Sequence, residues 1–593
     1  MTHQAIEPTS DEEPASQPDA GSPGEAAAHP TDGCAEPGDG EPEELTAAEL
    51  LVRCLEREGI RRIYGVPGEE NADFMLALDG SEIEFVLTRH EQGAAFMAAT
   101  WGRLTGEPGV CMGTLGPGAT NLVTGVADGN MDRAPMLVIT GQGALTRQHK
   151  ESHQIMRVVD LFEPVTKWTH AIHHPDNVPE VVHKALRIAT AEKPGAVHIE
   201  LAEDVAGAKT KKRPLPPRRA APPVPDAATV EQAWRRIREA RRPILLAGNG
   251  VIRRDASGAL RALCERTGIG VVSTFMAKGC VDLEAPYCLF TIGLQQQDFP
   301  ALAIADADLV VTVGYDMVEY PPRLWNANGS CGVVHLDSEP AETDSHYLPT
   351  VEVVGDLRSA LVQLGELAAR DGCPEWDFSE QRRVRERMQE ELREHSGEQS
   401  EGAISPQKVL WDVRQVLGPD DVVLSGVGAH KMWIGRHYQC HEPGTCIISN
   451  GFCSMGMPLP GAIAAASARP EAKILAITGD GDFLMNVQEM ETARRLDADI
   501  AVMVWEDGGY GLISWKQDQE FGRHTDLAFG NPDWVLLAES FGWQGERVER
   551  ASDLQAALRR ALDHPGPALL ALPIDYRENP KLTERLGKIE MRI

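Results

Sequence analysis

The chain has 593 residues, 42% hydrophobic and 25% charged. This ordinary globular balance excludes a wholly disordered chain and a disulfide miniprotein. Its 57 basic and 89 acidic side chains leave a formal net charge of -32, which opposes nucleic acid or an anionic membrane as partner.

No apolar run approaches the roughly 18 residues of a transmembrane helix. The eleven cysteines are scattered without a C-x-x-C pair, as expected of reduced, mostly buried thiols in a cytoplasmic protein. The N-terminus carries no basic and apolar leader, so no secretory signal is expected.

In chain order, residues 1–43 are rich in Pro, Gly, Ala and acids and are expected to form a disordered tail. Three blocks follow, 44–206, 226–366 and 403–580. A proline-rich basic linker, 207–225, separates the first two. A highly charged stretch, 376–404, separates the last two, and its middle, 379–395, is expected to be a solvated helix. Each block alternates short apolar runs with helix-length amphipathic stretches. IEFVLTR, HEQGAAFMAATWGRLTG and PMLVITG do so in the first block; PILLAGNG, GIGVVSTF and DLVVTVGY are strands of the second; AKILAITGD and IAVMVWED are strands of the third. The fold class is therefore α/β, with three doubly wound parallel-sheet domains. Functional residues should sit just beyond strand C-termini. No internal sequence repeat is visible.

The strongest local signal is in the third block. One strand runs into Gly479-Asp480-Gly481-Asp482 and the next ends in Glu506-Asp507-Gly508-Gly509. One helix and a return strand fit between them, so Asp480 and Asp507 can lie side by side and suit a hard divalent cation such as Mg2+. Gly481 lets a phosphate approach backbone N–H groups. A lone Gly-Asp-Gly is more often only a tight turn; the second acid changes the weighting.

Gly-Asp-Gly followed by a paired polar dipeptide resembles the metal and diphosphate motif of the thiamine diphosphate (ThDP) enzymes. The resemblance assigns the metal to Asp480, Asp507 and the Gly509 carbonyl, and the cofactor to Gly481 and Asp482. Glu506-Asp507 stands where that family has Asn-Asn, and Asp507 keeps an oxygen donor with added negative charge. Arg89-His90-Glu91 with Ala94 resembles the family's R-H-E-x-x-A element. Alone, Glu91 is an acid in a first helical turn, favourable with the dipole. The resemblance makes it the catalytic residue that contacts the aminopyrimidine, with Arg89 and His90 as structural neighbours.

The likeness covers essentially residues 46–580. RHEQGAAFMA, LGPGATNLVTG, FEPVTKW, GVGAHKMW and SNGFCSMGMPLPGAIAA resemble acetolactate synthases in particular. It places Ala429 and His430 near the diphosphate and Met455 under the bent cofactor, and makes Gln142 a candidate substrate contact. Taken singly, His430 and Met455 read more simply as a satisfied histidine and core packing. The second block has GYDMVEYPP in place of the flavin-type G-x-R-F-D-D-R, which resembles the FAD-independent catabolic enzymes, so FAD is not expected. AGNGVIRR is taken as a strand-end turn. Glu69, after Gly68, is an acid of the kind decarboxylases carry there.

The implied activity joins two pyruvates into 2-acetolactate and CO2, in a homodimer or homotetramer with sites between subunits. Alternatives are a ThDP-dependent decarboxylase or carboligase of another 2-oxo acid, and a non-enzymatic cofactor-binding scaffold.

Overall fold

Three six-stranded sheets, every neighbouring pair parallel, follow one another along the chain. A computed structural model describes residues 43–218, 221–294, 299–329 and 331–584. The expected acidic tail, apart from Glu43, lies outside them. The first sheet has β1 (Arg62–Gly65), β2 (Glu84–Leu87), β3 (Gly109–Gly113), β4 (Met136–Gln142), β5 (Trp168–Ile172) and β6 (Ala196–Ala202). The second has β7 (Pro243–Ala247), β8 (Val271–Ser273), β9 (Cys288–Thr291), β10 (Leu309–Val313), β11 (Gly332–Asp337) and β12 (Val351–Val354). The third has β13 (Val422–Ser425), β14 (Cys446–Ile448), β15 (Ile474–Gly479), β16 (Ile500–Glu506), β17 (Gln544–Arg547) and β18 (Ala568–Pro573). Central strands such as β15 and β16 are apolar on both faces because helices cover both sides of a parallel sheet.

The strand orders are β2-β1-β3-β4-β6-β5, β9-β8-β7-β10-β11-β12 and β14-β13-β15-β16-β18-β17. The first and third are the same winding, a structural repeat that no sequence similarity announces. Their helices share one apolar core, in which Ala94, Phe96 and Met97 meet Leu459, Ala462 and Met490. Two helices make that seam, α1 (Glu91–Thr105) and α5 (Pro458–Ala468). Small residues set their approach: a Cβ on Gly461 would lie 2.9 Å from Thr100 Oγ1. Helix α1 starts at His90, whose Nδ1 accepts from Gln92 N at 3.1 Å, and ends at Gly106 with φ +71°. Helix α2 (Pro117–Met131) begins with Pro at its first position, where no N–H is needed.

Two connecting segments go beyond their sequence reading. In the proline-rich linker, Lys209–Thr210 pairs antiparallel with Leu45–Thr46 and ties the ends of the first block together. The charged helix α3 (Ser379–Arg393) forms as expected but is not solvated all round. Gln381, Val384, Met388 and Glu391 recur at helical spacing and are buried, and Arg436 Nε bonds Glu391 Oε1 at 3.2 Å. The described cysteines are all free thiols and mostly buried. Among the described residues no helix is long and apolar enough to cross a membrane.

Candidate active site

In the third sheet the winding reverses between β13 and β15, and open parallel sheets bind ligands beyond the strand ends at such a point. The loops that meet there are Gly426-Val427-Gly428 and Gly479-Asp480-Gly481-Asp482. Asp480, buried, follows β15. Its Oδ1 accepts from Gly481 N at 2.8 Å. Its Oδ2 accepts from Asp507 N at 3.2 Å, Gly508 N at 2.8 Å and Asn531 Nδ2 at 2.7 Å. Thus β15 and β16 bring Asp480 and Asp507 together as their spacing requires.

Asp507 keeps an open face to solvent, yet crowding by protein and then the Asp480 carboxylate push its carboxyl up to about 7. Asn531 Oδ1 is buried without a hydrogen-bond partner. Two mutually repelling carboxylates and one orphaned amide oxygen form an oxygen donor set that fits a hard divalent cation. Among the described residues no third His, Cys, Asp or Glu joins them. Gly509 lies in the same turn, bridged to Ala528. Glu506 points elsewhere: it accepts from Trp534 Nε1 and pairs with Arg547 at 2.6 Å.

Asp482 is buried and ties three segments. It accepts from Thr478 Oγ1 at 2.7 Å and from Gly456 N at 2.5 Å. Its Oδ2 lies 3.5 Å from His430 Nε2, which is buried and makes no hydrogen bond. Met455, half-buried, is therefore held beside the Gly-Asp-Gly-Asp turn, with Asn486 Nδ2 bonding Gly456 O at 2.8 Å. Ala429 and His430 open helix α4 (Ala429–His437). The His430 ring lies so close to the strand-end loops that a Cβ on Gly479 would approach it to 3.0 Å. A half-buried Gly481 faces the rings of Tyr510 and Phe529.

Glu91 sits at the carboxyl end of the first sheet, 7% exposed. Its Oε2 accepts from Asn121 Nδ2 at 2.9 Å, and its Oε1 faces the turn at Gly118. These partners belong to its own domain. The link to the third domain is made by Glu489, fully buried in the helix α6 (Glu489–Arg495). Glu489 accepts from Arg89 N at 3.2 Å and His90 N at 3.0 Å, and from Thr492 Oγ1 at 2.6 Å. Arg89 and His90 thus reach the third domain through their backbone N–H groups. Gln142 spends its amide internally, donating to Glu200 and Met156 O at 2.9 Å and accepting from Gly143 N at 3.0 Å. Glu69 is exposed, and its neighbour Glu70 accepts from Thr114 Oγ1 at 3.2 Å.

Sequence reading missed Asn121, Glu489 and Asn531. Only the Asn-Pro-Asp run at 531–533 carried a signal, and it signalled a helix start rather than a ligand.

The site thus has an oxygen donor set at the switch point of the third sheet and a buried carboxylate at the carboxyl end of the matching first sheet. Three family descriptions match in order: the thiamine pyrophosphate enzyme N-terminal TPP binding domain over 45–163, the central domain over 230–364 and the C-terminal TPP binding domain over 426–572. Acetolactate synthase of Bacillus subtilis (strain 168) is 35% identical across 91% of this chain and 95% of its own length. The catabolic acetolactate synthase of Raoultella terrigena is 33% identical across 91% and 97%. Acetolactate synthase of Mycobacterium leprae (strain TN) is 33% identical across 88% and 85%. The chain belongs to the acetolactate synthase family of thiamine diphosphate enzymes.

Proposed function

We propose that the protein is a ThDP- and Mg2+-dependent carboligase that condenses two molecules of pyruvate into 2-acetolactate and CO2. The observation that carries this reading is the Asp480–Asp507 pair at the third sheet's switch point, in a chain similar to acetolactate synthases along nine-tenths of its length. When bound, ThDP supplies the electron sink that lets a 2-oxo acid lose CO2. The chain's residues do the rest. Asp480 and Asp507 would hold the cation, with the Gly509 carbonyl in the same turn. His430, whose Nε2 makes no hydrogen bond among the described residues, would hold the diphosphate with Ala429, Gly481 and Asp482. Met455 would support the cofactor from its turn beside Gly456. Glu91, with Oε1 toward the Gly118 turn, would contact the aminopyrimidine and exchange a proton with it.

The reading extends to a cytoplasmic homodimer or homotetramer that works without FAD. Free thiols support the compartment. Exposed Phe452, Met485 and Tyr510 around the site support a partner subunit covering it. The test is a pyruvate assay with ThDP and Mg2+. Acetolactate and CO2 in equal amounts are expected. CO2 with acetaldehyde would make the protein a decarboxylase, a role for which the exposed Glu69 would be the acid. No turnover of pyruvate would overturn both pyruvate reactions and leave a decarboxylase or carboligase of another 2-oxo acid.

A further inference from the structure

The central sheet, β9-β8-β7-β10-β11-β12, reverses its winding between β7 and β10. Sheets of this order take a dinucleotide in the crevice beyond those two strand ends, with the diphosphate against backbone N–H groups of the first loop. Here the crevice is shut. Gly250 N donates to Gly314 O at 2.8 Å, and a Cβ on Gly250 would lie 2.6 Å from Gly314 Cα. Beside this contact the structure holds an anion of its own.

The side chain is Glu319, 6% exposed. Both its oxygens accept from Asn249 N at 3.0 Å, just after β7. Its Oε1 also accepts from Asp316 N at 3.1 Å, just after β10. Its Oε2 accepts from Thr274 Oγ1 at 2.5 Å, just after β8. Donors from three neighbouring strand ends thus converge on one carboxylate. Buried carboxylates are costly unless so satisfied, and burial still raises this one to about 7.

The segment that carries it is fixed from outside the domain. Asp316 pairs with Arg133 at 2.7 Å, and Glu319 O accepts from Asn450 Nδ2 at 3.2 Å. Tyr315, Trp325 and Tyr347 fill the space behind, with Trp325 Nε1 bonding Tyr315 Oη at 3.2 Å.

We infer that Glu319 is an internal substitute for a phosphate group: it occupies the donors at the switch point of the central sheet and so keeps nucleotide diphosphates out of this domain. The inference goes beyond the carboligase reading and is tested by stability alone, so its failure would leave that reading standing.

The experiment compares full-length wild type with Glu319→Ala, both saturated with ThDP and Mg2+. Thermal midpoints are measured in sodium chloride, formate and phosphate at equal ionic strength. The variant should melt lower in chloride and regain much of the loss in phosphate, whereas wild type should respond little. An equal phosphate response in both proteins would overturn the proposal. Rescue by formate without rescue by phosphate would also overturn it, because Glu319 would then be only a structural acid. If the variant does not fold in chloride, refolding yield is read instead: a higher yield in phosphate supports the proposal, and equal yields refute it.

Discussion

Glu91 Oε2 accepts from Asn121 Nδ2, and Oε1 lies toward the Gly118 turn. Glu91→Gln keeps the shape but not the proton exchange, so turnover should fall by about 10²–10⁴-fold. ThDP affinity, set largely at the other domain, should stay within a few-fold by calorimetry; near-normal turnover would remove Glu91 from the mechanism. Asp480→Ala and Asp507→Ala should each weaken Mg2+ and ThDP binding together, since the two ligands are linked. Unchanged ThDP affinity in both variants would sink the metal assignment. A third residue gives a pH prediction. Burial raises the Glu200 carboxyl to about 7, against an ordinary value of 4.5. The folded state therefore holds this proton more tightly than the unfolded state. The stability so contributed is full below about pH 4.5 and lost as pH rises through about 7. Glu200→Gln should gain on wild type between pH 5 and pH 8 in urea unfolding, by at most about 3 kcal/mol; an equal difference at both pH values would contradict it. The acids that follow strands were legible in the sequence because a strand end announces itself. Glu489, Glu319 and Asn531 were not, because their burial is decided by partners in other loops and domains.

Helix α1 combines a catalytic start with a seam of small residues. A Cβ on Gly93 would lie 2.6 Å from Glu489 Oε1. In an unconstrained helix Gly→Ala stabilises by about 1 kcal/mol. Here the methyl must push Glu489 off the Arg89 and His90 N–H groups, and overpacking of this kind costs about 1–3 kcal/mol. Gly93→Ala should therefore lower both the urea midpoint and turnover; a more stable, fully active variant would show that the Glu489 contact does not position Glu91. The helix and strands of this region were readable from periodicity alone. The buried face of α3 was not. Its interior positions include Gln381 and Glu391, polar side chains that burial satisfies through partners such as Arg436.

At the scale of the whole molecule, two sheets of identical winding share an apolar core, and a third of different order comes between them along the chain. Glu91 belongs to the first sheet and the Asp480–Asp507 pair to the third, each hydrogen-bonded within its own domain. A partner subunit would complete each site. Sedimentation should therefore show at least a dimer. Mixing Glu91→Gln with Asp480→Ala protein under subunit exchange should restore part of the activity. An active monomer would refute this arrangement. The three parallel sheets followed from the alternation of apolar runs. The repeat between the first and third did not, because strand order depends on which edges pair across loops rather than on any local pattern.

The bonds from Arg89 and His90 to Glu489 span 400 and 399 positions of the chain. At about 5–20 residues per second, the ribosome needs roughly 20–80 s to add such a length. Throughout that interval the newborn N-terminal domain carries two backbone amides whose acceptor has not been made, beside an apolar helix whose cover, Pro458–Ala468, is also still to come. Assembly of the region around Glu91 thus waits until Glu489 has been made, and a chain released before that point would expose this seam to aggregation.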